Sequence, residues 1–258
     1  MTNDLTTASA TASSARGAPA GRPAWRYIPA AAGVAYLAAW VTGLSVWPVN
    51  LALNATASQE AASHAAHPAE AAAQYLLAEG LAALLLAVVL ASALLPRLRG
   101  RAGRRVTTSA AIFGAVAVTV SLTQCVIGLV LTAAAADHHV TTSGELFRLL
   151  NRLDGVKMLA LAITALCLAA AQRPSPARPR WLRVTAVLLA LALAASGYAY
   201  LTLTNSLAWT AYVSGVLLIV WVTGTGIALT ARQHRASTLS PHDLHTISIH
   251  HPERSQGK

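Results

Sequence analysis

Six runs of roughly 20 apolar residues, each bounded by a short polar stretch, constrain this chain more than any other feature. They lie approximately over 28–47, 76–95, 109–133, 154–171, 184–204 and 207–230. A helix rises about 1.5 Å per residue, so roughly 20 residues cross the ~30 Å hydrocarbon core of a bilayer. Inside lipid every backbone N–H and C=O needs an internal partner, which helices supply within one segment. The expected fold class is therefore all-α, a polytopic bundle of six transmembrane helices. Composition agrees: 55% of the 258 residues are hydrophobic and only 11% are charged, whereas soluble domains carry about 25% charged residues. Alanine is abundant and aromatics make up 5%, which points to close packing through small side chains. Thr204-Asn205-Ser206 divides the last two runs where a tight turn is needed.

Basic residues set an expected orientation. Arg16, Arg22 and Arg26 precede the first run, and Arg97, Arg99, Arg101, Arg104 and Arg105 lie between the second and third. Arg173, Arg178, Arg180 and Arg183 separate the fourth and fifth, while Arg232, Arg235, Arg254 and Lys258 follow the sixth. The opposite side receives only Arg148, Arg152 and Lys157, so sixteen of the 19 basic residues alternate to one side. The positive-inside rule makes that side cytoplasmic, with both termini in it. Trp25, Tyr27 and Trp181 then form an inner aromatic belt, with Trp47, Tyr200, Trp209 and Tyr212 near the outer interface. Topology accounts for the net charge of +10, so the expected partners are the lipid bilayer and other membrane proteins, and not nucleic acid. The domain reading is a disordered cytoplasmic segment over 1–24, a six-helix domain over 25–232 and a disordered cytoplasmic tail over 233–258. The basic stretch before the first run also resembles a signal peptide, but a run of about 20 residues suits a spanning helix better. Three prolines over 172–183 predict a stiff connector. The basic clusters suggest three helical hairpins, yet loops of unequal length show no internal repeat.

The charges that break this pattern are the first site candidates. Glu79 and Lys157 each fall about one turn inside the outer ends of the second and fourth runs. A charge at depth costs roughly 2.5–3.5 kcal/mol on insertion scales, and a Glu79–Lys157 pair would reduce that cost. Arg152 and Asp154 are near enough in sequence to compete for either partner. Residues 143–153 read as an amphipathic interfacial helix capped by Ser143. On the third run Thr119, Ser121, Thr123 and Gln124 are polar; Gln124 needs a partner within the bundle, with Thr164, Ser196 and Tyr198 as candidates. Such groups serve either as interhelical hydrogen bonds or as a hydrophilic lining for a substrate.

A second candidate lies in the first outer loop, 50–75. Glu60, His64 and His67 at i, i+4 and i+7 share one face of a short helix, and Asp137, His138 and His139 stand in the second outer loop. Imidazole and carboxylate suit a transition metal such as Zn²⁺ or Cu²⁺. The plainer reading is a solvated loop with incidental histidines, and Pro68 is placed to end the helix at His67. Cys125 and Cys167 differ by about 15 Å in expected depth, which excludes a disulfide. The six predicted runs contain no histidine, which removes bis-histidine haem within the bilayer. No Walker loop, GxSxG or Cys-x-x-Cys occurs either.

The segment Leu146-Phe-Arg-Leu-Leu-Asn-Arg-Leu-Asp-Gly-Val-Lys-Met158, leading straight into a span, resembles uncharacterised six-span membrane proteins of high-GC, actinobacterial-type bacteria. The resemblance implies a multi-pass protein of a bacterial cytoplasmic membrane. It carries no activity, and directs attention to Arg152, Asp154 and Lys157. Without a catalytic constellation or a predicted cofactor, the expectation is a non-enzymatic membrane partner or scaffold. A small permease using Glu79 and Lys157 is the alternative, and an outer-face metal-binding protein the third reading.

Overall fold

The computed structural model describes residues 24–47, 51–98, 103–171 and 180–238. The segments expected to be disordered lie outside the described residues up to 23 and beyond 238, as does the proline-rich connector over 172–179. Helix α1 spans Ile28–Val46 after a 3₁₀ turn, α2 Ala57–Ala66 and α3 Pro68–Gln74. A π-helical turn over Tyr75–Leu81 joins α3 to α4, Ala82–Leu98. Then follow α5 Arg104–Ala136, α6 Val140–Ala170, α7 Arg180–Thr202 and α8 Thr210–Thr238. There is no strand among the described residues. Six helical units are long and apolar enough to cross a membrane: Ala24–Val46, Pro68–Leu98, Arg104–Ala136, Val140–Ala170, Arg180–Thr202 and Thr210–His234.

The six units close into a ring in chain order. Each packs on its sequence neighbours, α1 on α4, α4 on α5, and so on to α8, which returns to α1; α4 also touches α8 across the ring. Short connections force antiparallel neighbours, so α2, the α5–α6 turn and the α7–α8 turn share one end. Leu86, Val89, Leu90, Leu161, Leu189, Leu193, Trp221 and Val222 fill the interior, with buried alanines of α1, α4, α5, α6 and α7 between them. Val34, Val41, Leu84, Ile112, Val126, Leu191 and Val216 are exposed on the outer wall. So much outward apolar surface suits lipid and not water. Hydroxyls add interhelical bonds: Thr223 donates to the Gly33 carbonyl at 3.0 Å, and Ser196 lies 2.9 Å from the Thr210 hydroxyl.

Three boundaries differ from the sequence reading. The second unit begins at Pro68 and the fourth at Val140, well before the apolar runs expected at 76 and 154. Residues 143–153 are thus the first turns of α6 and not a separate interfacial helix. Ser143 is fully buried and donates to the His139 carbonyl, so it does not cap this helix. The physical reason is α2, which packs on α5 and α6 and covers a face that would otherwise need the lipid boundary. The tail expected from 233 is helical through Thr238.

Candidate functional site

The first long loop folds back as a roof over one end of the ring. Thr56 starts α2 with a capping box: its hydroxyl accepts from the Gln59 N–H at 3.3 Å, and its own N–H donates to the Gln59 side chain at 3.0 Å. The loop before it is tied to the α7–α8 turn, where Asn205 accepts from the Leu53 N–H at 2.9 Å and donates to the Asn54 side chain. Glycine lets α2 settle on α6, because a Cβ at Gly144 would stand 2.4 Å from the Ala57 Cβ.

Settling in this way buries two polar residues of α2. Glu60 and His64 are each 1% exposed. His64 Nδ1 is 2.9 Å from Glu60 Oε1 and 3.2 Å from the Glu60 carbonyl. Only the contact with the carbonyl has hydrogen-bond geometry, and neither carboxylate oxygen has a hydrogen-bond partner among the described residues. His64 Nε2 is 3.3 Å from the Tyr75 hydroxyl, and the Trp47 ring meets the imidazole edge-on at 4.6 Å. Tyr75 occupies this place because Gly128 has no side chain; a Cβ there would lie 2.3 Å from the tyrosine ring.

Beneath the roof the intramembrane charges converge. Lys157 Nζ donates to Glu79 at 2.9 and 2.8 Å and pairs with Asp154 Oδ1 at 2.6 Å. Ser121 donates to Glu79 Oε2 at 2.6 Å. Glu79 sits in the π-helical turn, where one extra residue per turn shifts the side chains that follow; such turns recur at functional sites. Gln124 donates through Nε2 to the Leu150 carbonyl at 3.1 Å and to Asp154 Oδ1 at 3.2 Å, leaving Oε1 buried without a partner. Its partners are therefore on α6 at Leu150 and Asp154, and not Thr164, Ser196 or Tyr198. Thr164 bonds the Ala160 carbonyl within its own helix, Ser196 joins the α7–α8 hydroxyls, and Tyr198 is exposed.

Roof and charge cluster face one cavity of about 200 Å³, lined by Glu60, His64, Tyr75, Glu79, Gln124 and Asp154 among others. Lys157 does not line it; the lysine reaches Glu79 and Asp154 from the neighbouring side, so the cavity meets carboxylates. Buried polar atoms without partners gather here: Trp47 Nε1, both Glu60 oxygens, Gln74 Oε1, Gln124 Oε1 and Asn151 Nδ2. Buried polar groups are normally satisfied, so such a cluster calls for water or a ligand.

The remaining candidates are elsewhere. Arg152 is exposed on α6 and takes no part in the cluster. His67 has left the α2 helix (φ −140°, ψ 59°) because Pro68 begins α3, and it is exposed. His138 and His139 are exposed in the α5–α6 turn. Of the six residues considered for metal, only Glu60 and His64 reach pairing distance of each other, and among the described residues no group of three or more His, Cys, Asp or Glu side chains could hold a metal ion. Thr119 and Thr123 are exposed as well, so of the four polar residues singled out on this helix Ser121 and Gln124 face inward. Both cysteines are free. Sequence reasoning missed Trp47, Gln74, Tyr75 and Asn151 as lining residues; Gly128, a small residue beside a polar run, was the available signal for Tyr75. In comparisons with known proteins, no family model, curated protein or solved structure matches the chain.

Proposed function

We propose that the chain is a solute-binding integral membrane protein of the small-permease kind, and that the cavity beneath α2 is its binding site. One observation carries the reading: six buried polar atoms without partners, on five residues from separate parts of the chain, line one cavity that also meets Glu79 and Asp154. A purely structural polar cluster gains most when every member is satisfied, and this one leaves its unsatisfied atoms facing an open space. The positive-inside rule supports a cytoplasmic arginine-rich end, with the cavity on the other side of the bacterial membrane. The scaffold reading draws on no comparable feature, because the exposed apolar side chains are spread over all six units as lipid contact requires.

The test is a stability screen of the purified full chain in mild detergent against cationic, anionic, zwitterionic and neutral solutes. A solute that binds only the folded state and is present at a hundred times its Kd adds about 2.7 kcal/mol. Such a solute is expected to raise Tm and to be taken up into proteoliposomes, with both effects weakened in Glu79→Gln. A screen in which no class raises Tm, with no uptake above empty liposomes, sinks the proposal.

A further inference from the structure

The polar groups of the cavity also bear on what kind of solute enters. Resting on the solute-binding reading, we infer that the occupant is a small organic ammonium ion, held by Glu60 and enclosed by aromatic rings. Four of the six partnerless atoms are acceptors: both Glu60 oxygens, Gln74 Oε1 and Gln124 Oε1. The orientation of Gln124 is set by its two hydrogen bonds from Nε2, so its free atom is the oxygen. Several unmet acceptors around one space call for a molecule rich in donors, and an ammonium head has donors and no acceptor, as the lysine side chain does.

Charge points the same way. Glu60, Glu79 and Asp154 line the cavity, and Lys157 is the one cation bonded to them among the described residues. Counted formally, three carboxylates face one ammonium, and the surroundings stay negative even with His64 carrying a proton. An anion would meet net repulsion there. Glu60, 1% exposed, has His64 Nδ1 at 2.9 Å but no hydrogen-bond donor to either carboxylate oxygen, and a cation would supply one.

The walls separate an organic cation from a metal ion. Trp47, Tyr75, Phe147 and Tyr200 line the same space, and aromatic faces attract ammonium groups by roughly 0.5–2 kcal/mol each. A transition metal is usually held by at least three converging His, Cys, Asp or Glu side chains, and no such group occurs among the described residues. A volume of about 200 Å³ has room for several waters, and so for a small amine. The free N–H groups of Trp47 and Asn151 would suit a hydroxyl or carbonyl on the same molecule.

Calorimetric titration of the full chain in detergent micelles, with propylammonium, propionamide, propionate and Zn²⁺ as probes, tests the inference. Propylammonium is expected to bind at least about tenfold more tightly than either three-carbon analogue, the difference one charge-assisted hydrogen bond supplies. Glu60→Gln is expected to remove that preference. Glu145→Gln, which neutralises an exposed carboxylate on α6, is expected to leave it unchanged. The wild-type selectivity series decides the matter alone if Glu60→Gln does not fold. Propionamide or propionate binding as tightly as propylammonium overturns the ligand class and leaves the solute-binding reading standing. Zn²⁺ binding that displaces propylammonium and depends on Glu60 overturns it in favour of a metal. Binding of none of the four overturns the ammonium assignment, and the broader solute screen then decides whether the solute-binding reading falls with it.

Discussion

Replacing Lys157 by methionine separates two accounts of the charge cluster, because the lysine holds two carboxylates at once. Its Nζ is 2.8 Å from Glu79 Oε2 and 2.6 Å from Asp154 Oδ1, so these two oxygens are at most 5.4 Å apart. With the ammonium removed, two carboxylates would face each other at that distance with a repulsion of ~3 kcal/mol at an effective dielectric of 20. Breaking a buried pair from one side typically costs about 3–5 kcal/mol, and Lys157→Met is expected in that range. Glu79→Gln differs in kind. The amide still accepts from Ser121, and Lys157 keeps Asp154, so the expected loss is about 1–2 kcal/mol. The double variant Glu79→Gln/Lys157→Met removes the repulsion and is expected to be more stable than Lys157→Met alone. The assay is unfolding from mild-detergent micelles by titration with a denaturing detergent, followed by loss of helical circular dichroism. A Lys157→Met variant no less stable than Glu79→Gln would refute the reasoning, as would a double variant at which the two losses simply add.

Two further expectations concern the roof and the orientation. Gly128→Ala places a methyl where the Tyr75 ring now lies; overpacking of this kind costs about 1–3 kcal/mol and should move Tyr75 off His64. Nitrogen-15 NMR of the imidazole reads this directly, and an unchanged His64 spectrum would count against the Tyr75–His64 contact. For orientation, a cysteine introduced at Ala55 in a variant lacking Cys125 and Cys167 should react with a membrane-impermeant maleimide in intact cells, while one at Gly103 should react only after lysis. The reverse pattern would invert the proposed topology.

The membrane architecture was legible in the sequence because hydropathy is a local property. A run of 20 apolar residues needs no tertiary context to be incompatible with water, and the arginine clusters mark where each run stops. Glu79 and Lys157 were legible as site candidates for the opposite reason: charges within apolar runs are costly and stand out, although only the packing of the helices shows that the two pair. Local signals failed wherever a contact depended on how helices are rotated and stacked. Gln124 had three plausible partners by depth and took a different one, Asp154, because α5 and α6 bring that pair together. His67 fitted the i+7 position of an ideal helix and lost it to Pro68, which opens a new helix one residue later.

The six helical units and their arginine-capped ends follow from composition read along one dimension. The place where Glu60 and His64 meet Glu79 and Asp154 does not. These residues are far apart in sequence, and only the folding of α2 onto α5 and α6, permitted by Gly144 and fastened by Asn205, turns an ordinary polar loop into the buried roof of a cavity. Hydropathy is additive along a chain and so can be read in order. Burial of a polar side chain is a property of everything that surrounds it, and tertiary packing alone decides that.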